Sequence, residues 1–327
     1  MSAPRLEAAA RTHPGLTRTH NEDAVVCAPE RGLFAVIDGM GGEAAGEVAA
    51  GMVQQRLLLW DPEATTLRET LHEAGEAIVA RAAAEPALRG MGCVATAVQA
   101  REHSLQIAHA GDTRAYLARG SGVQQLTLDH TVVAAERQRL GLTEVEGRSL
   151  PGQHRVTRDL GGQHHEDATW IDAAQAPFEH GDLLLLCSDG LHDLVSDEEI
   201  LTLLRAARGD GRAMEALADA LIDLALARGG LDNVTLVCVR AHGPLESPTP
   251  AGRGRLPRWL LPAWVLSLVA AALLGAAGGL LWRGAPPIAA SVVAPPEPPA
   301  QPPEPVAPTG DATAPEAPTA PAAEPTP

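Results

Sequence analysis

Short apolar runs alternate with amphipathic segments along residues 10–242, and this alternation predicts a mixed fold. Five runs have the length of strands, and most are apolar without interruption. They are GLFAVI at 32–37, LQIAHA at 105–110, AYLA at 115–118, DLLLLC at 182–187 and VTLVCV at 234–239. Uninterrupted apolar strands suit burial on both faces, so we expect strands packed on strands.

Helices are predicted where apolar residues recur at helical spacing among alanine, leucine, glutamate and arginine. The segments are residues 44–59, 67–84 and 212–227. The stretch Ser196–Glu199, SDEE, has the form of a capping box and predicts the start of another helix. Strands and helices mixed in this way predict strands in the interior with helices outside.

One segment near the end of the chain is apolar enough to cross a membrane. Trp259–Trp282 carries no charged residue, and its length of about 24 residues exceeds the roughly 20 that a spanning helix needs. We interpret it as a single transmembrane helix, and a buried helix of a soluble domain is the alternative. Gly275 and Gly279 form a GxxxG pattern, which favours a weak dimer contact.

The charges around this span predict its orientation and divide the chain into four parts. Three arginines precede the span and one follows it: Arg253, Arg255, Arg258 and Arg283. The positive-inside bias predicts a single-pass protein of the plasma (inner) membrane with its N-terminal region in the cytoplasm. The parts are a cytoplasmic domain at 1–242, a basic linker at 243–258, the span at 259–282 and an outer tail at 283–327. The tail is rich in proline, alanine and glutamate, which predicts disorder.

Composition narrows the range of functions. The formal net charge of -16 argues against nucleic-acid binding, which needs clustered basic residues. The four cysteines stand far apart without a CxxC pair, so we expect reduced thiols in the core.

Carboxylates recur at the edges of the predicted interior strands. Asp38 directly follows GLFAVI, and Asp112 lies where one strand is predicted to turn into a hairpin. Four further acidic residues lie beside strand-like runs: Glu22, Asp23, Asp189 and Asp232, with Asp193 four residues beyond Asp189. One such residue is typical of a turn or cap, but the recurrence favours a common site.

Carboxylates gathered in one place repel one another unless a cation neutralises them. Sites made only of oxygen ligands favour Mg²⁺ or Mn²⁺. Gly39 lacks a Cβ, so its backbone carbonyl can approach such an ion closely. A pair of these ions lowers the pKa of a shared water and directs it at phosphorus, which favours hydrolysis of a phosphate ester.

The same residues stand in blocks that resemble a known family. The blocks are GLTRTHNED, LFAVIDGMGG, GDTRAYL, LTLDHT, DLGG, GDLLLLCSDGL and DNVTLV, in that order between Gly15 and Arg240. They resemble the bacterial metal-dependent protein phosphatases of the 2C type. The resemblance implies an α+β fold, a four-layer α-β-β-α sandwich, that hydrolyses phosphoserine and phosphothreonine in proteins and opposes Ser/Thr kinases.

The resemblance also implies a role for each residue of the site. Asp38 would bridge two Mn²⁺ or Mg²⁺ ions. Asp189 and Asp232 would hold the first ion with it, while Glu22 and the carbonyl of Gly39 would complete the second.

Further positions match the family around this centre. Arg18 would grip the substrate phosphate, because its planar fork makes paired hydrogen bonds. Asp23 would support the ligands without binding an ion, and Arg114 would support a neighbouring loop. A weaker third metal site would use Asp112, Asp189 and Asp193.

The chain departs from eukaryotic relatives at Met40, where they carry a histidine as the candidate general acid. Bacterial members share the methionine, so the implied proton donor is a water on the third ion or the solvent. His20 and His192 lie within the blocks, and we expect packing or loop roles for both. Residues 132–147 align with a variable flap beside the site.

Two other functions remain open on the same fold. One is a catalytically silent module that binds phosphoproteins, and the other is a transmembrane sensor. The joint presence of Asp38, Asp189 and Asp232 disfavours the silent module, because a domain that only binds has no need of a bridging carboxylate. The span and tail support anchoring more directly than signal transfer.

Overall fold

The computed structural model describes residues 5–242 apart from 42–44, 102, 148–149, 151, 153–154, 163 and 212. The predicted linker at 243–258, the transmembrane segment Trp259–Trp282 and the tail at 283–327 lie outside the described residues. Within the part that is described, no helix has the length and apolar character to cross a membrane.

Ten strands in the described residues form two antiparallel sheets. They are β1 (Arg5–His13), β2 (Ala24–Ala28), β3 (Leu33–Met40), β4 (Gly92–Arg101), β5 (Ser104–Ala110), β6 (Arg114–Arg119), β7 (Gly122–Gln125), β8 (Asp172–Pro177), β9 (Leu183–Cys187) and β10 (Val234–His242). The first sheet has the order β1-β10-β9-β6-β7, and the second has the order β2-β3-β4-β5-β8.

Seven helices accompany the sheets in the same residues. They are α1 (Ala45–Leu58), α2 (Leu67–Ala84), α3 (Val132–Leu140), α4 (Glu144–Gly147), α5 (Asp189–His192), α6 (Asp197–Asp210) and α7 (Met214–Ala227). Apolar residues of α1 and α2 share a core with the second sheet. Those of α5, α6 and α7 share another core with the first sheet.

The alternation of side chains along each strand produces the layers. Leu33 and Ile37 of β3 enter the core beneath α1 and α2, whereas Phe34 and Val36 enter a core shared only by the two sheets. Successive strand residues point to opposite faces, so a continuous apolar run can fill both cores at once. The predicted packing of strands on strands, with helices outside, is confirmed.

The predicted elements are found with small shifts at their ends. Helix α2 has the predicted bounds, and the helix predicted from residue 212 begins at Met214. Ser196 and Glu199 form the predicted capping box at the start of α6. All five predicted strands are present as β3, β5, β6, β9 and β10.

The hairpin predicted at Asp112 is wrong. Strand β5 pairs with β4 and β8 in the second sheet, whereas β6 pairs with β9 and β7 in the first. The turn at Asp112 therefore carries the chain from one sheet to the other. Gly111 makes this crossing with a φ of 107°, and a Cβ there would lie 2.1 Å from the Val94 side chain. A glycine is needed because the turn presses against β4.

The four cysteines are free, as predicted, but one of them lies outside the core. Cys93, Cys187 and Cys238 are buried, and Cys27 is exposed. Cys27 lies on β2, which is an edge strand, between two residues that face the core beneath α1. Because successive side chains of a strand point to opposite faces, the side chain of Cys27 points away from that core.

Candidate active site

An open cavity of about 330 Å³, hereafter the first cavity, lies where several strand ends meet. Its walls come from the loop before β2, the end of β3, the turn between β5 and β6, the start of α5 and the loop before β10. Of the predicted site residues, those that line it are Arg18, Glu22, Asp38, Gly39, Asp112, Asp189 and Asp232. The structure thus brings together residues that lie near opposite ends of the domain's sequence.

Asp38 lies where the inter-sheet layer opens into the cavity. It is on the same side of β3 as Phe34 and Val36, which face the other sheet. Desolvation by the surrounding protein raises the pKa of Asp38 well above its usual value, and the nearby carboxylates of Asp23 and Asp189 raise it further. The electrostatic environment at this position therefore favours a bound cation.

Gly39 is required because two backbone segments approach it closely. A Cβ at this position would lie 2.4 Å from the carbonyl oxygen of Gly46 and 2.5 Å from that of Glu22. The bare backbone therefore allows α1 and the loop before β2 to meet at the end of β3.

Asn233 holds the loop that carries Glu22, a role that the sequence did not reveal. Its Oδ1 accepts a hydrogen bond from the Glu22 N–H at 2.8 Å, and its Nδ2 donates to the carbonyls of Pro14 and His20. Burial raises the pKa of Glu22 above its usual value. One side-chain amide thus joins the loop before β2 to the loop before β10.

Asp23 is not among the residues that line the first cavity, and its supporting role stays a prediction. Ser188 donates its hydroxyl to Asp23 Oδ2 at 3.0 Å and accepts from the Thr235 N–H. Burial raises the pKa of Asp23 to about 7, and the nearby carboxylate of Asp189 contributes to this shift.

A second cavity of about 310 Å³ adjoins the first and contains Asp193. Asp112 and Asp189 line both cavities, so all three residues predicted for a third metal site line the second cavity. Burial and the nearby carboxylate of Asp189 together raise the pKa of Asp112 to about 8. Residues of α3 and of the predicted flap, including Val133 and Arg137, form the opposite wall.

His192 is buried and supports the turn between the sheets, as predicted for a loop residue. Its Nε2 lies 3.0 Å from the backbone carbonyl of Asp112. Burial lowers the pKa of His192 to about 3, so its imidazole is neutral at physiological pH. His20, by contrast, lines the first cavity.

Arg18 lies at the rim of the first cavity with its side chain 53% exposed. Its Nη2 lies 2.7 Å from Asp232 Oδ2. The predicted phosphate-binding group and one predicted metal ligand therefore stand side by side.

A family model for protein phosphatase 2C matches residues 11–234, which include every cavity residue named above. The chain belongs to the protein phosphatase 2C family. Membership agrees with the two sheets and their flanking helices.

Two bacterial serine/threonine phosphatases are among the similar proteins. The serine/threonine protein phosphatase PstP of Mycobacterium tuberculosis is 39% identical over 238 residues, which are 71% of this chain and 44% of PstP. The serine/threonine phosphatase stp of Listeria monocytogenes is 32% identical over 247 residues, 72% of this chain and 95% of stp. The chain therefore spans less than half the length of PstP and nearly all of stp.

A solved structure shows the same fold. The catalytic domain of PstP in complex with two manganese ions is similar with a TM-score of 0.64 and 36% identity. The similarity covers 74% of this chain and 100% of that one.

The donors of the first cavity fit the divalent ions that the protein phosphatase 2C family implies. Glu22 Oε1 is buried and accepts no hydrogen bond from any described residue. Such an oxygen is costly to bury without a partner, and a cation would satisfy it. Among the residues that are described, no three acidic, histidine or cysteine side chains already form a complete ligand set. The assignment of individual ligands therefore stays a prediction.

Proposed function

We propose that this chain hydrolyses phosphoserine and phosphothreonine in proteins with two divalent metal ions, Mn²⁺ or Mg²⁺. The observation that carries the proposal is the first cavity, which collects five carboxylates, the bare backbone of Gly39 and the guanidinium of Arg18. The names of the relatives, both serine/threonine phosphatases, support the same reaction.

The carboxylates divide into two ligand groups around Asp38. Asp189 and Asp232 would hold one ion with it, and Glu22 with the Gly39 carbonyl would hold the other. When bound, the ions lower the pKa of a shared water and make it a nucleophile at neutral pH.

Arg18 binds the substrate phosphate in this account. Its planar guanidinium suits paired hydrogen bonds to phosphate oxygens. Because it is half-exposed at the rim beside Asp232, it can turn toward a phosphate that enters the cavity.

Met40 lines the first cavity and has no proton to donate to the leaving group. We infer that the departing serine or threonine oxygen takes its proton from water. A phosphoryl transition state depends chiefly on positioning and on charge neutralisation, so the absence of a donor at this position is compatible with turnover.

A weaker third ion is proposed at the boundary of the two cavities. Asp112 and Asp189 line both cavities there, and Asp193 lines the second. Burial and mutual repulsion among these carboxylates support the assignment.

The proposed setting is the cytoplasmic face of the plasma (inner) membrane. It is supported by the uncharged segment Trp259–Trp282 and by the arginine bias around it. Phosphorylated proteins, including Ser/Thr kinases and their substrates, would be the partners, with a weak dimer contact through Gly275 and Gly279.

Phosphate release from a phosphothreonine peptide tests the proposed reaction. The full 327-residue chain, purified in mild detergent, would be assayed with Mn²⁺, with Mg²⁺ and with excess chelator. We expect turnover with metal and none with chelator. A folded protein that binds the peptide but releases no phosphate with either ion would contradict the proposal and support the silent binding module.

A further inference from the structure

The turn Gly111–Thr113, which carries Asp112 into both cavities, is held by buried hydrogen bonds from another loop. The His130 N–H donates to the Gly111 carbonyl at 2.7 Å, and the Gly111 N–H donates to His130 Nδ1 at 3.1 Å. The two residues therefore bind each other reciprocally, and the imidazole accepts from the backbone next to Asp112.

Asp172, the first residue of β8, lies on the far side of the same imidazole. His130 Nε2 is 3.1 Å from Asp172 Oδ2, and the other oxygen of Asp172 accepts from Arg158 Nη1 at 2.8 Å. A backbone N–H can only donate, so His130 Nδ1 carries no proton and the ring proton is on Nε2. Arg158 Nη1 also lies 3.2 Å from Nε2, but its two protons are donated to Asp172 and to the Trp170 carbonyl. Asp172 stabilises this tautomer of His130 by accepting the hydrogen bond of the Nε2 proton.

The imidazole of His130 has little freedom to reorient. It is 6% exposed, and its ring centroid lies 4.8 Å from that of His109. The ring of His109 is itself held between the hydroxyl of Thr96 and the carbonyl of Leu128. The acceptor that faces Gly111 is therefore fixed by packing on one side and by a carboxylate on the other.

We propose that His130 and Asp172 are positioning residues for the phosphatase reaction, because through Gly111 they hold the Asp112 carboxylate at the boundary of the two cavities. The inference rests on the proposed function of those cavities. Neither residue lines the first cavity, so neither contacts the phosphate there. Their loss should lower kcat and leave KM nearly unchanged, since Arg18 lies on a different loop.

Two substitutions at His130 separate positioning from folding. In His130→Asn the side-chain oxygen can occupy the place of Nδ1 and still accept from Gly111. In His130→Gln the amide reaches toward Asp172 and leaves the Gly111 N–H without an acceptor. Because an unsatisfied buried donor is costly, we expect His130→Gln to lower kcat by about tenfold to a hundredfold and His130→Asn to stay within about threefold of wild type.

The role of Asp172 is tested by combining a substitution there with one at His130. Asp172→Ala should lower kcat with KM unchanged, and adding it to His130→Gln should cause no further loss, because both act through one contact. Phe178→Leu is the control for stability, since Phe178 lies in the inter-sheet core and touches neither cavity. It should lower the unfolding temperature and leave kcat unchanged.

Hydrogen exchange at the Gly111 amide gives a readout that does not depend on turnover. Exchange should accelerate in His130→Gln and stay as in wild type in His130→Asn, both measured in the full chain. The proposal is overturned if His130→Gln keeps wild-type kcat, if asparagine loses as much activity as glutamine, or if exchange is the same in both. A wild-type protein without turnover would refute the proposed function, and the exchange data would still decide whether His130 holds the turn.

Discussion

Arg18, the proposed phosphate-binding residue, forms an ion pair that should contribute little to stability. It pairs with Asp232, but both side chains are well exposed, at 53% and 38%. Exposed ion pairs contribute little to the free energy of folding. The proposed phosphate-binding role of Arg18 can therefore be tested by substitution with little effect on the stability of the fold.

Arg18→Ala should raise KM for a phosphothreonine peptide by about tenfold to a hundredfold, since a charge-assisted hydrogen bond to phosphate is lost. Steady-state kinetics with Mn²⁺ would measure this change, and the unfolding temperature should not move. Arg11→Ala is a matched control, because Arg11 also forms an exposed ion pair, with Asp219. Equal effects of the two substitutions on KM would contradict the role given to Arg18.

The site residues that could be predicted from the sequence were those with a recognisable pattern in their immediate neighbours. Asp38 directly follows a predicted strand and Asp189 comes just after another, and the structure brings both to one cavity. Asn233 and Ser188 were missed in their actual roles, because each holds a partner more than 150 residues away in the chain. Asn233 is part of the block DNVTLV, but the role of its side-chain amide depends on hydrogen bonds to a loop that is distant in the sequence.

At the scale of elements, the apolar pattern predicted five of the six central strands that the structure describes but not the central strand β4 or the edge strands β1 and β8. β1, RLEAAARTH, and β8, DAAQAP, are rich in alanine and lack an apolar run. β1 forms because it pairs along its whole length with β10, and β8 forms because it pairs with β5. Strand formation depends on such partners more than on intrinsic preference, so neither was visible in the sequence.

Arg114 of β6 lines the second cavity and joins its strand to the loop of Asp129 and to the start of α6. It donates to both oxygens of Asp129 and to Asp197 at the start of α6, and only 8% of its side chain is exposed. Removal of one partner from a buried pair leaves the other charge uncompensated. Asp129→Ala should lower the free energy of unfolding by about 3 kcal/mol, measured by urea denaturation at neutral pH. Asp219→Ala, which breaks an exposed pair, should change it little.

The ion pair between Arg114 and Asp129 predicts that the free energy of unfolding depends on pH. Burial opposes ionisation of Asp129, but Arg114 outweighs it and holds the pKa of that carboxyl below its usual value. A carboxyl with a lowered folded pKa adds stability above its unfolded pKa of about 4, and that stability is lost as the pH falls through the folded value. The stability difference between wild type and Asp129→Ala should therefore shrink on acidification. A constant difference down to about pH 2 would contradict the assignment.

At the scale of the whole molecule, the first cavity depends on both sheets. Asp38 lies near the end of a strand of the second sheet, whereas Asp189 and Asp232 flank strands of the first. The two sheets together therefore bring the ligand groups to one cavity. Continuous apolar strands predicted this layered arrangement, but the crossing at Asp112 depended on contact between Gly111 and Val94 and was mispredicted.

The predicted membrane span can be tested separately from the active site. Deletion of residues 257–327 should move the protein from the membrane fraction to the soluble fraction and leave kcat/KM on a soluble phosphopeptide unchanged. The reason is that all cavity residues lie between Arg18 and Asn233. Loss of activity on deletion would support a sensor role for the tail, and an unchanged distribution would contradict the anchor.

The most direct test of the central claim is phosphate release by Asp38→Asn. Asparagine keeps the shape of the side chain but lacks the charge that would bridge two ions. We expect wild type to turn over a phosphothreonine peptide only with Mn²⁺ or Mg²⁺, and Asp38→Asn to be nearly inactive with an unchanged circular dichroism spectrum. Turnover by Asp38→Asn at the wild-type rate would show that the carboxylate cavity is not the metal-dependent centre.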